Sequence, residues 1–101
     1  MKEIERLTKV LMDNFKDSKM LLEYAKEAKH KEHKEMAKYY LETAEARCSM
    51  IKKDYKQLME LFRYEESKTG HKLPEGKWDC LHQHYLDEIE NLEDEISKFR
   101  V

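Results

Sequence analysis

The chain has 101 residues, the size of one small domain. Charged residues make up 42% and hydrophobic residues 40%, with Gly twice and Pro once, which suits long helices and excludes a turn-rich β-sandwich. The 20 basic and 22 acidic residues leave a net charge of −2, so no global field recruits DNA, RNA or an anionic membrane.

The opening stretch MKEIERLTKVLMDNF has no continuous apolar core of the signal-peptide kind, and no apolar run reaches the length of a bilayer span. The expectation is a cytoplasmic protein without a membrane segment. Cys48 and Cys80 do not form a disulfide framework and read as small packing residues.

The first periodic segment carries Ile4, Leu7, Leu11, Asn14, Ser18, Leu21, Ala25 and Ala28 at alternating steps of three and four. Val10, Phe15 and Leu22 widen that stripe, and the segment predicts an amphipathic helix over about 3–29. Lys29 to Glu35, KHKEHKE, is polar throughout and carries neither Gly nor Pro. The hydrophobic phase nevertheless breaks there. Extended by sevens from Ala25, the first stripe lands on Glu32 and Tyr39, whereas the next stripe begins at Ala37, displaced by five residues. A short polar turn between two helices accounts for the shift better than one rod.

The second stripe is Ala37, Leu41, Ala44, Cys48, Ile51, Tyr55, Leu58 and Phe62, on a helix expected over about 35–67. SKTGHKLPEG then gathers both glycines and the proline into a loop, and Pro74 or Glu75 suits the first turn of a third helix. That helix, over about 75–100, carries Trp78, Leu81, Tyr85, Ile89, Leu92, Ile96 and Phe99, flanked by His82 and Leu86. The fold class is all-α: a single helical domain spanning 1–101, built as an antiparallel three-helix bundle. Helices of 25 to 30 residues are roughly 40–45 Å long at about 1.5 Å per residue. Met36, Tyr40, Met50 and Met59 lie beyond the main stripes and point to a second buried face. Dimerisation that completes a larger bundle is expected to cover it.

The segment from Ala25 to Glu45 has a recognisable texture. Ala25, Lys26, Ala28 and Lys29 close the first helix, a polar turn follows, and the second helix carries Ala37 and then Glu-Thr-Ala-Glu over Glu42 to Glu45. Over roughly Asn14 to Leu58 the chain resembles the first helical hairpin of rubrerythrin-type members of the ferritin-like superfamily. That resemblance implies a di-iron centre, with a carboxylate from the first helix and a Glu-x-x-His pair from the second, three residues apart on one face. In this chain those places hold Asn14, Arg47 and Met50, none of which is a di-iron ligand. Arg47 would set a fixed positive charge beside the metals. The resemblance therefore implies a fold and not a metal centre.

Arg47 borders the second stripe and has two readings. It extends to solvent, or it pairs with Asp13 or Asp17 near Asn14 in a polar cluster that replaces the metal. Asn14 on a core-facing position specifies helix alignment at some cost in stability.

Other constellations are thin. Glu45 and Cys48 share a face without further ligands, and His30 and His33 fall in the expected turn. Cys80 and His84 are four apart and need Glu88 as a third ligand; the simpler reading is a half-buried Cys80 and a surface His84. No Gly-x-Ser-x-Gly elbow and no Gly-rich phosphate loop occurs. The residues thus identify no catalytic, cofactor-binding or metal site. The expectation is a non-enzymatic helical protein, a homodimer that also meets an unidentified protein partner. A reduced ferritin-like metal-binding oxidoreductase or storage protein is the alternative. A nucleic-acid-associated accessory protein is the third reading, weakened by the mixed charge of KEAKHKEHKEMAK.

Overall fold

The computed structural model describes residues 2–70 and 75–100, and the side chains of 69, 75–79 and 81 are outside the description. The expectation for Pro74 therefore lies outside the described residues, and those for the packing of Trp78 and Leu81 rest on side chains outside the description. The described residues form three helices: α1 Lys2–His30, α2 Lys34–Thr69 and α3 Glu75–Arg100. The described residues contain no strand. At about 1.5 Å per residue, the 36 residues of α2 span the long axis of a molecule measuring 56 × 22 × 14 Å.

The break between α1 and α2 is made by backbone hydrogen bonding. His33 N–H donates to the Ala28 carbonyl at 2.8 Å, and Glu32 N–H donates to the Lys29 carbonyl at 3.1 Å. These are the paired six-to-one and five-to-two bonds of a Schellman cap. They require a left-handed residue between the helices, and Glu32 supplies it with φ 64°. A side chain at that φ is strained where glycine is not. Glu32→Gly is expected to raise the unfolding free energy by about 1 kcal/mol, read from urea denaturation. A loss of stability would show that the Glu32 side chain contributes more than the strain it causes. At the far end of α2, Gly70 takes the left-handed cap at φ 73° and donates its N–H to the Glu66 carbonyl at 2.9 Å.

The packing of α1 on α2 follows the two stripes. Leu11, Phe15, Leu22, Ala25 and Ala28 are buried on α1, and Ala37, Leu41, Ala44, Cys48, Ile51, Tyr55 and Leu58 on α2. Asn14 meets Arg47 and Asp54, and Tyr24 meets Tyr40, so higher numbers on α1 meet lower numbers on α2.

The third helix contributes Ile89, Leu92 and Ile96 to the core, with half-buried Tyr85 and Phe99 against it. On α1 it meets Phe15 through Tyr85, Lys19 through Glu88, and Lys29 through Phe99. On α2 it meets Tyr55 through Tyr85, Lys52 through Glu93, and Glu45 through Arg100.

Coverage by α3 is one-sided, and this corrects the expected burial in three places. Val10 does not widen the core stripe but stays 46% exposed, while Leu22, on the side α3 covers, is fully enclosed. Of the four residues expected on a second buried face, Met36 and Met50 are exposed within the chain, whereas Tyr40 and Met59 are half-buried and Met59 packs against the core. Cys80 is exposed rather than half-buried, because it lies roughly 140° around α3 from the packed stripe at 3.6 residues per turn.

Candidate functional site

A polar seam crosses the α1–α2 interface where the apolar stripe of α1 is interrupted. Asn14 is 6% exposed, too buried to satisfy its amide with water. Its Nδ2 donates to Asp54 Oδ2 at 2.7 Å, and its Oδ1 accepts from Arg47 Nη1 at 3.2 Å. The amide is thus satisfied at both ends by two residues of α2 seven positions apart, which places Asn14 level with the turn between them. Both bonds are charge-assisted, so each is stronger than a neutral hydrogen bond. Asp54 is 8% exposed, whereas Arg47 is an exposed residue whose bond to Asn14 is partly buried.

This geometry settles the two readings of Arg47. Its partner is the Asn14 amide, and neither Asp13 nor Asp17 forms an ion pair with it among the described residues. The third member, Asp54, carries no motif of its own in the sequence. The available signal was its position, three after Ile51 and four before Leu58, where an acid must lie at the edge of the buried stripe. Four residues along α1 from Asn14, Ser18 is fully enclosed, and its hydroxyl oxygen has no hydrogen-bond partner.

The places that the ferritin-like resemblance assigns to metal ligands therefore divide. Asn14 and Arg47 come together, and Met50 is 44% exposed and outside the core. Among the described residues, no group of three His, Cys, Asp or Glu side chains comes together where it could hold a metal ion. Glu45 is ion-paired with Arg100 across the α2–α3 contact. His84 and Glu88 line a groove against Met12, Phe15, Lys16 and Lys19 of α1, and exposed Cys80 is not among its lining.

A second cluster holds α3 in place. Tyr55 and Tyr85 stack with ring centroids 3.6 Å apart and planes within 3°, and Phe15 meets the edge of Tyr85 at 6.4 Å. The Tyr55 hydroxyl is hydrogen-bonded with His82 Nδ1. Burial pushes the phenol pKa of both tyrosines upward, so both are neutral at ordinary pH. Burial likewise raises the thiol of Cys48, aided by the negative charges of Glu93 and Glu45 and opposed by Lys52. A thiol held in that state is a poor nucleophile.

Two further grooves lie at the turn end of the molecule. One, of about 490 Å3, is lined by Lys26, Lys29, His30, Glu95, Lys98 and Phe99, with the Lys29 Nζ 5.0 Å from the Phe99 ring centroid. The other is lined by Tyr24, Glu27, Ala28, Lys31, His33 and Met36 together with Tyr40. Lys29, His30 and Lys98 of the first also sit in the last turns of α1 and α3, where positive charge offsets the helix dipole. No helix among the described residues is long and apolar enough to cross a membrane. No protein-family model matches the chain, and neither a curated protein nor a solved structure does.

Proposed function

We propose that the chain is a non-enzymatic cytoplasmic protein that acts by self-association and by contact with a protein partner. In this reading the helices form an antiparallel three-helix bundle related at the level of fold to a ferritin-like hairpin, and a second copy completes a larger bundle. The observation that carries the reading is the row of large apolar side chains left in solvent: Val10, Met20, Tyr24, Met36 and Met50 are each more than two-fifths exposed. Single exposed apolar residues are ordinary, but a row of them along two adjacent helices marks an interaction surface. The polar seam supports the same reading. Its groups are occupied with one another, so they serve alignment of the hairpin rather than chemistry on a substrate.

The test is the solution mass of the purified protein measured together with its metal content. Light scattering is expected to return twice the chain mass of 12.3 kDa, with metal well below one ion per chain. A monomer at micromolar concentration sinks the self-association reading. A stoichiometric iron or zinc that disappears on Glu45→Ala instead favours the metal-binding alternative.

A further inference from the structure

The face of the hairpin turned away from α3 has a definite composition. On α1, α3 meets Phe15, Lys19 and Lys29; on α2 it meets Glu45, Lys52 and Tyr55. At about 100° per residue, Val10, Asp17, Met20 and Tyr24 lie on the opposite side of α1. Met36, Arg47 and Met50 lie on the opposite side of α2 by the same count, with half-buried Tyr40 at the edge of that side. The exposed row and the solvent edge of the polar seam therefore share one face.

We infer that this face is the seat of a second copy of the chain, with Arg47 of each protomer crossing to Asp17 of the other. The inference rests on the self-association reading above and adds the surface and the contact. Three observations select a second copy as the occupant.

The first is area. A folded monomer of 12.3 kDa exposes about 6,100 Å2 by the usual scaling. This chain exposes 7574 Å2. The excess, roughly 1,500 Å2, is enough to supply the about 800 Å2 per partner that a stable pair covers.

The second is charge. Asp17 on α1 and Arg47 on α2 have opposite signs, and neither has an ion-pair partner among the described residues. A face that carries both signs on separate helices is complementary to itself.

The third is level. Asn14 bonds both Arg47 and Asp54, and Tyr24 meets Tyr40. Between these two contacts, Asp17 stands level with Arg47. A two-fold axis along the helices lays α1 of one copy over α2 of the other without changing level. Asp17 of one copy then falls opposite Arg47 of the other, and Tyr24 opposite Tyr40, with no adjustable offset. Each helix in the resulting four-helix layer also has neighbours running the opposite way, the arrangement common in such bundles.

The experiment is sedimentation equilibrium of the full chain and its variants, with circular dichroism recording that each stays helical. Met20→Glu and Met50→Glu are expected to weaken the dimer at least tenfold, whereas Met12→Glu and Leu86→Glu, away from this face, leave it unchanged. Asp17→Arg and Arg47→Glu are each expected to weaken it roughly tenfold, and the two together to restore it to within about threefold of the parent. Because Arg47 also bonds Asn14, recovery in the charge-swapped pair is the reading that does not depend on the fold of either single variant. A dimer untouched by the Met20 and Met50 changes but lost on the Met12 or Leu86 change overturns this face while leaving self-association standing. A swapped pair no better than its parents overturns the Asp17 contact. A parent protein that is monomeric overturns both readings.

Discussion

Asn14→Ala is expected to lower the unfolding free energy by about 2–4 kcal/mol, a large share of the roughly 5–15 kcal/mol that holds a domain of this size together. The loss has two parts. Two charge-assisted bonds disappear, and the Asp54 carboxylate is left buried without its amide partner. The second part is the larger, because a buried charge without a partner is costly whatever the value of the pair it came from. Asp54→Leu alone is expected to be costly as well, since it strands the Asn14 amide. Asn14→Leu combined with Asp54→Leu removes both ends of the buried bond and is expected to return to within about 1 kcal/mol of the parent, or above it. Arg47, already at the solvent edge, turns to water in that variant. The check is a double-mutant cycle by urea denaturation followed at 222 nm. Additive losses would mean that the two side chains do not act as a pair, contrary to the 2.7 Å bond between them.

The second large effect separates the hairpin from the helix laid against it. Ile51 is fully enclosed, and Leu92 is 2% exposed. Truncating either to Ala removes similar apolar contact and leaves a cavity, worth about 2–5 kcal/mol at a well-packed site. The consequences are expected to differ. Ile51 lies in the continuous stripe that joins α1 and α2, so Ile51→Ala lowers the stability of the whole chain. Among the described residues, Leu92 belongs to a helix that encloses three aliphatic side chains, supported by the Tyr55–Tyr85 stack and by partly exposed ion pairs that are individually weak. In Leu92→Ala the amides of α3 are expected to exchange faster while those of α1 and α2 keep most of their protection. Native-state hydrogen exchange distinguishes this from a uniform loss of protection, which would place α3 in the same cooperative unit as the hairpin.

How far the sequence reveals this depends on whether the deciding interaction is local. The stripe from Leu41 to Leu58 reads directly as a core, because steps of three and four on a helix leave no other common face. The division into three helices is legible for a related reason: the phase of the stripe cannot pass through KHKEHKE unbroken. The residue that makes the turn is not legible. Glu32 holds a conformation that glycine usually takes, and the paired backbone bonds around it leave no mark on composition. Val10 and Leu22 both flank the first stripe, and only the placement of α3, a distant segment, decides that one is covered and the other is not. The seam is a mixed case. Asn14 stands out as a polar residue on an apolar stripe, and Arg47 as a charge where the family resemblance places a ligand. Asp54 is one acid among 22 and acquires meaning only when Asn14 lies across from it. The ion pairs that dock α3 are hidden in the same way, since in a chain that is 42% charged almost any helix face offers a candidate partner.

The two cysteines differ in a way that makes the third helix observable without altering the protein. Cys48 sits enclosed in the groove that α3 closes, among Glu45, Lys52, Glu93, Ile96 and Arg100, with its thiol pKa raised by burial. Cys80 stands in solvent on α3 itself. A thiol reagent added to the native chain is therefore expected to label exposed Cys80 first and buried Cys48 more slowly, at a rate that rises when α3 lifts. The exposed site supplies an internal standard for reagent and pH, and the enclosed one counts openings. The lag of the second label behind the first is a clock, carried in the wild-type chain, for how often α3 leaves the hairpin.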